Sequence, residues 1–478
     1  MSMLLHLFIL ILTLTLTISI SISISSPTPP YFQHLNVENA ISETKLKPSK
    51  QHSQLEKEQQ QPQWKTKLFH RDHIINHINT ATNHKTRFIS RIKRDIKRVS
   101  FLHNRLNKHT QVTEQETTAD TSFGSDIVSG SEEGSGEYFV RIGIGSPAIY
   151  QYMVIDSGSD IVWIQCQPCH QCYNQSDPIF NPATSASFIG VSCSSSVCDQ
   201  LDDGVACRQG RCGYQVDYGD GSYTKGTLAL ETITIGRTLI QETAIGCGHW
   251  NEGMFVGAAG LLGLGGGPMS FVGQLGAQTD RAFGYCLLSR GTESSGSLEF
   301  GHKAMPIGAT WVPLIHNPFF PTFYYISLSG LAVGGIQVPI SEQIFSVTDL
   351  GIGGVVMDTG TAVTRFPTIA YNSFRDAFLA QTTNLPRANG VSIFDTCYDL
   401  NGFVTVRIPT VSFYFSGGQI LTLPARNILI PVDDVGSFCF AFAASPSSLS
   451  IIGNIQQEGI QISVDGDNGF IGFGPNVC

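Results

Sequence analysis

The strongest constraint on this chain is a pattern that it carries twice. Met153-Val154-Ile155-Asp156-Ser157-Gly158-Ser159 is answered by Val355-Val356-Met357-Asp358-Thr359-Gly360-Thr361. In each copy three apolar residues run into an acid, then hydroxyl, glycine, hydroxyl. A strand thus delivers a carboxylate to a glycine turn, where flanking hydroxyls can hold it. One copy is ordinary turn chemistry. Two copies imply a duplicated half-site, and a further landmark repeats in the same order. Leu261-Leu262-Gly263 follows the first acid and Ile451-Ile452-Gly453 follows the second.

The rest of the chain suits two β lobes. Of 478 residues 42% are hydrophobic and 14% charged, and 49 are glycine among short Val/Ile/Thr/Phe runs, which favours an all-β globular fold. Residues 123–310, with a cysteine-rich insert, are expected to form the first lobe and residues 311–478 the second. The clearest helix of this body is read around Ala370–Phe378.

Charge separates a leader from this body. Residues 1–122 hold 16 Lys+Arg against 9 Asp+Glu, whereas the remainder holds 13 against 29. An acidic body argues against nucleic-acid binding. Only His170, His249, His302 and His316 lie beyond the leader, which disfavours a His triad or a His-rich metal site. Within the leader, residues 1–25 have the short apolar core of a secretory signal peptide. The stretch 26–122 is read as a basic propeptide and linker, with 26–62 expected to be disordered. Phe88–Val99 reads as a basic amphipathic helix with Ile89, Ile92, Ile96 and Val99 on one face. Behind a signal peptide, a propeptide laid across an acidic cleft fits better than a nucleic-acid patch.

All 12 cysteines fall between Cys166 and Cys478. An even number behind a signal peptide reads as six disulfides formed in an oxidising compartment, more than as a zinc or redox C-x-x-C site. Within that region Asn174-Gln175-Ser176 is a glycosylation sequon. Val216–Tyr223 reads as a hairpin, either a plain surface hairpin or a mobile lid whose Tyr218 leans over a cleft. The glycine-rich 258–265 segment lacks the strand–helix context of a dinucleotide site.

Two carboxylates brought face to face cannot both ionise easily, so they share a proton. One member then acts as a base toward water while the other polarises a carbonyl oxygen. That chemistry hydrolyses a peptide bond without metal, cofactor or covalent intermediate. A glycosidase also uses two acids, but has no need of matched Asp-hydroxyl-Gly turns.

On these motifs residues 137–478 resemble the pepsin-type aspartic proteases, a bilobal all-β fold with its cleft between pseudo-twofold-related lobes. The insert after the first acid resembles the plant nepenthesin-like branch. Ser135-Gly136-Glu137-Tyr138-Phe139, Gly246-Cys247-Gly248-His249 and Phe394-Asp395-Thr396-Cys397-Tyr398 are most similar to the group called aspartic protease in guard cell.

The resemblance implies catalytic residues Asp156 and Asp358, supporting hydroxyls Ser159 and Thr361, active-site loop glycines Gly158 and Gly360, and a flap of Tyr218 and Gly219 with Trp163 nearby. It also implies disulfides Cys166–Cys169, Cys172–Cys247, Cys193–Cys212, Cys198–Cys207, Cys286–Cys478 and Cys397–Cys439. Ser157 departs from the commoner Thr, and losing that methyl is expected to soften the loop and reduce activity. The expected protein is a monomeric, secreted acid endopeptidase of the apoplast or vacuole, made as a zymogen. Its expected partners are a peptide or protein substrate and its own propeptide, without nucleic acid, membrane anchor or metal. The rival expectation is a non-catalytic inhibitor or binding protein on the same fold, as in the plant xylanase inhibitors.

Overall fold

The computed structural model describes residues 31–44, 64–71, 83–112, 138–201, 206–218, 222–253, 255, 257–288 and 296–474. The expected signal peptide over residues 1–25, Gly219 and Cys478 therefore lie outside the described residues. Among the described residues no helix is long and apolar enough to cross a membrane.

The two motif copies are built alike. Strand Ile149–Asp156 carries the first acid, and Gly260–Gly263 lies parallel to it, with Leu262 opposite Ile155 and Gly263 opposite Asp156. Strand Val355–Met357 leads to the second acid, and Ser450–Ile452 lies parallel to it, with Ile452 opposite Met357. The glycine closing each apolar pair is a packing requirement. A Cβ on Gly263 would run into the Asp160 carbonyl oxygen, and one on Gly453 into that of Ala362. Asp160 and Ala362 each lie four residues beyond their acid, so the same backbone approach recurs in both halves.

An antiparallel sheet ties the halves together. Its order is Thr310–Ile315, Phe470–Phe473, Gln461–Asp465, Ala282–Cys286, Gly296–Phe300, Lys65–His70 and Tyr138–Ile144. Tyr138–Ile144 continues antiparallel onto Ile149–Asp156, so the sheet reaches the first acid directly. Alternation along these strands feeds one large core containing Val140, Ile142, Met153, Ile155, Met357 and Ile452. Helix Thr368–Gln381 covers the second half with Ala370, Tyr371, Phe374 and Phe378, all buried at helical spacing.

The leader is part of this architecture, and Lys65–His70 is one strand of the joining sheet. The expected disorder over 26–62 is corrected for Tyr31–Thr44. Phe32–Asn36 pairs antiparallel with Thr405–Pro409, and helix Val37–Glu43 follows, capped by Asn36 Oδ1 accepting from Asn39 N at 2.8 Å. The polar composition hid this strand because its backbone bonds come from the body's edge. Of its side chains only Leu35 is buried.

Helix His84–Val112 is found where a helix was expected, but with a different buried face. Phe88, Ile92, Asp95, Val99, Leu102 and Leu106 face inward, whereas Ile96 is 38% exposed. The helix packs on two apolar clusters, one around Ala362, Val363, Phe394 and Ile455, the other around Phe320, Phe323, Tyr325 and Ile451.

Four of the implied disulfides are corrected. Cys166 bonds Cys247 because the parallel register puts Ile164 beside Cys247, and Cys166 N donates to Gly248 O at 2.9 Å. This leaves Cys169 to bond Cys172. Cys212 is buried with Cys198, Val191 and Met269, and bonds Cys198, while exposed Cys207 bonds Cys193. These four replace Cys166–Cys169, Cys172–Cys247, Cys193–Cys212 and Cys198–Cys207. Cys397 is bonded to Cys439 where adjacent strands place them opposite. Cys286 is disulfide-bonded, and the implied Cys286–Cys478 pair lies partly outside the described residues.

Candidate active site

Asp156 and Asp358 end their strands at one point between the halves, both at most 2% exposed. Each is held in the same way. Asp156 accepts from Gly158 N at 3.1 Å and Ser159 Oγ at 2.6 Å; Asp358 accepts from Gly360 N at 3.0 Å and Thr361 Oγ1 at 2.6 Å. The small turn residues bring the acids together. A Cβ on Gly158 would lie 2.9 Å from Asp358 Oδ1, and one on Gly360 would lie 2.7 Å from Asp156 Oδ1.

The two loops also clasp one another. Ser157 N donates to Thr359 Oγ1, and Thr359 N donates to Ser157 Oγ, each at 3.0 Å. These crossed bonds were not foreseen as part of the site. The available signal was the hydroxyl residue directly after the acid in both copies.

Tyr218 is buried, and its hydroxyl accepts from Trp163 Nε1 at 2.8 Å. Its ring meets Phe255 edge-on at 5.2 Å. Burial pushes its phenol well above the usual tyrosine range, so it remains a neutral hydroxyl near Asp156. Asn174 of the sequon is exposed.

The centre is closed by a residue that sequence reasoning missed. Arg98, on the inward side of helix His84–Val112, donates to Asp156 at 2.8 and 3.1 Å and to Asp358 from Nη2 and Nε at 3.2 Å each. One planar guanidinium thus bridges both carboxylates, using a fork geometry that lysine lacks. Burial raises the proton affinity of Asp156, Arg98 lowers it, and the neighbouring Asp358 raises it again, with a net upward shift. The two carboxylates outweigh the burial of Arg98 and hold its guanidinium charged.

Two further leader contacts flank this clamp. Arg91 donates to Asn454 Oδ1 at 2.5 Å and reaches Glu458 at 3.4 Å, and Asn454 Nδ2 donates to Thr359 O at 2.9 Å. Asp95 is seated beside the second loop, accepting from Ala362 N and Val363 N at 2.7 and 2.9 Å.

A pair of matched Asp loops joined through their hydroxyls can share a proton and direct water onto a carbonyl. Aspartic protease in guard cell 2 of Arabidopsis thaliana is 64% identical over 86% of this chain and 87% of its own length. The chain belongs to the plant aspartic protease family.

As a member of this family it is an aspartic-type endopeptidase. Aspartyl protease family protein 2 of the same plant is 46% identical over 84% of each chain. Nepenthesin-1 of Nepenthes gracilis is 40% identical over 72% of this chain and 79% of its own. Two family models also match, described as xylanase inhibitor N-terminal over residues 138–302 and xylanase inhibitor C-terminal over residues 323–475. Among solved structures, the one titled edgp has a TM-score of 0.58 at 18% identity, covering 70% of this chain and 91% of that one. Lupine conglutin gamma scores 0.57 at 19% identity over 71% and 92%. At these identities the likeness concerns the bilobal β fold.

Proposed function

We propose that the chain is a secreted plant aspartic endopeptidase made as a zymogen, in which Asp156 and Asp358 activate water and the leader blocks them. The observation that carries this reading is Arg98, whose guanidinium bonds to both carboxylates at 2.8 to 3.2 Å. While it is there, neither acid is free to share a proton with its partner, and no scissile carbonyl can enter between them.

Removing the leader leaves two like charges with no counter-ion, so one carboxyl takes up a proton. The ionised member then draws a proton from water as that water attacks the peptide carbonyl. The protonated member donates to the carbonyl oxygen, and the amine leaves after proton return. Ser159 and Thr361 keep each carboxylate oriented, while Tyr218 covers the cleft. An oxidising, acidic destination such as the apoplast or vacuole suits both the disulfides and the proton uptake.

A binding role is the competing reading, favoured by the inhibitor descriptions of the matched family models. A labelled-peptide assay at acid pH, with and without a statine inhibitor that mimics the tetrahedral transition state, separates them. Statine-sensitive cleavage supports the protease. A correctly processed chain that cleaves nothing supports the binding protein.

A further inference from the structure

Beside the Asp pair lies an anion pocket that the proposed hydrolysis does not use. Asp95 of the leader helix is 2% exposed, yet its carboxylate is fully engaged by the body. Oδ1 accepts from the backbone N–H groups of Ala362 at 2.7 Å and Val363 at 2.9 Å, and Oδ2 accepts from the Arg365 guanidinium. Ala362 directly follows Thr361, the hydroxyl that holds Asp358. The pocket is therefore continuous with the second active-site loop.

All three donors belong to the body and remain when the leader departs. Among the described residues Asp95 is the only carboxylate bonded to Arg365, whose other polar contact is Ala444 O at 3.4 Å, and Arg365 Nε meets no acceptor. Loss of the leader thus exposes two adjacent N–H groups and a guanidinium whose counter-ion has gone. A buried cation stripped of its partner is costly, and a carboxylate is the group that this donor set fits. The walls are apolar, since Phe88 and Ile92 of the leader cover Ala362, Val363, Phe394 and Ile455 there.

We infer that after leader removal the Ala362–Val363–Arg365 pocket becomes a specificity subsite for an acidic side chain of the peptide substrate, which takes the place of Asp95. This rests on the endopeptidase reading above. Asp95 and Arg98 are three residues apart, about 4.5 Å along the helix, and an extended peptide advances about 3.3 Å per residue. With Arg98 standing between the catalytic acids, the acidic residue falls within about three residues of the scissile bond, next to apolar neighbours.

The test uses the mature chain obtained from the full-length protein. Peptides that differ only by Asp or Asn are compared at each of three positions on either side of the cleaved bond, at about pH 5, where a free Asp carboxyl is largely ionised. At one position the Asp peptide is expected to show a kcat/KM about tenfold above its Asn twin, the scale of a charge-assisted hydrogen bond. Arg365→Gln should bring that ratio to about one, and Arg365→Lys should keep part of it. Using a ratio cancels any general loss of activity in a buried-site variant, and the unaltered enzyme alone already decides the preference. Equal cleavage of acid and amide at every position, or an Asp preference that survives Arg365→Gln, overturns the subsite while leaving the endopeptidase reading intact. A mature chain that cleaves none of the peptides overturns both.

Discussion

Ser157 and Thr359, 202 residues apart, exchange backbone N–H and hydroxyl bonds in both directions at 3.0 Å. Each half thereby fixes the position of the other's acid. Thr359→Val leaves the Ser157 N–H buried without an acceptor, a loss of about 1–3 kcal/mol. Thermal unfolding should move down by a few degrees, and kcat should fall more than KM rises, because the acids lose alignment without losing binding surface. Ser157→Thr keeps the hydroxyl and should match or exceed the native rate in the same kinetic comparison.

Arg98 is the leader's hold on the acids. Arg98→Ala leaves two buried carboxylates facing each other, and breaking a buried pair in this way costs about 3–5 kcal/mol. The expected result is leader loss from the full-length chain at neutral pH, read by intact mass after incubation. Arg98→Lys supplies a point charge that cannot fork across both acids, and should fall between Ala and native.

The pH dependence of release has a definite sign. In the leader-bound state Arg98 counters both negative charges; in the released state they face each other unpaired, and one binds a proton to higher pH. The released state holds more protons, so release becomes more favourable as pH falls, by up to about tenfold per pH unit for one proton. The onset, as pH falls, is set by proton binding in the released state, and the raised proton affinity of Asp156 in the leader-bound state, set first by burial against the opposing pull of Arg98, marks where the dependence levels off. Leader retention measured across the acid range should show this slope, and a flat profile would speak against it.

How much of this was legible in the sequence follows from how local each determinant is. The acids, their hydroxyls and the turn glycines sit within seven-residue stretches, so the repeated pattern exposed both halves of the site. Arg98 was hidden because the leader helix carries many basic residues and only its partner selects one. Contacts with the body also overrode apolar periodicity. Asp95 takes the inward position between Ile92 and Val99 because Ala362, Val363 and Arg365 offer it donors, whereas Ile96 turns outward. An acid inside the 88, 92, 99, 102, 106 apolar stripe was the signal available. Disulfide partners were unreadable because strand register, which puts Cys247 alongside Ile164 and next to Cys166, is set by the whole sheet.

The pairing among Cys193, Cys198, Cys207 and Cys212 can be checked by thiol counting. The double substitution Cys193→Ser with Cys207→Ser removes one complete bridge, so the denatured protein should show no free thiol. Under the pairing Cys193–Cys212 and Cys198–Cys207, the same double variant would show two.

Asp156 and Asp358 are proposed to act as one unit. The most direct test is hydrolysis of a labelled peptide at acid pH by chains freed of their leader through a protease site inserted within residues 113–137. Native protein is compared with Asp156→Asn, Asp358→Asn and the double variant. Each single substitution is expected to lower kcat by at least about a thousandfold, and the double variant to be no worse than either. A folded single variant retaining more than a tenth of native activity would contradict this joint action.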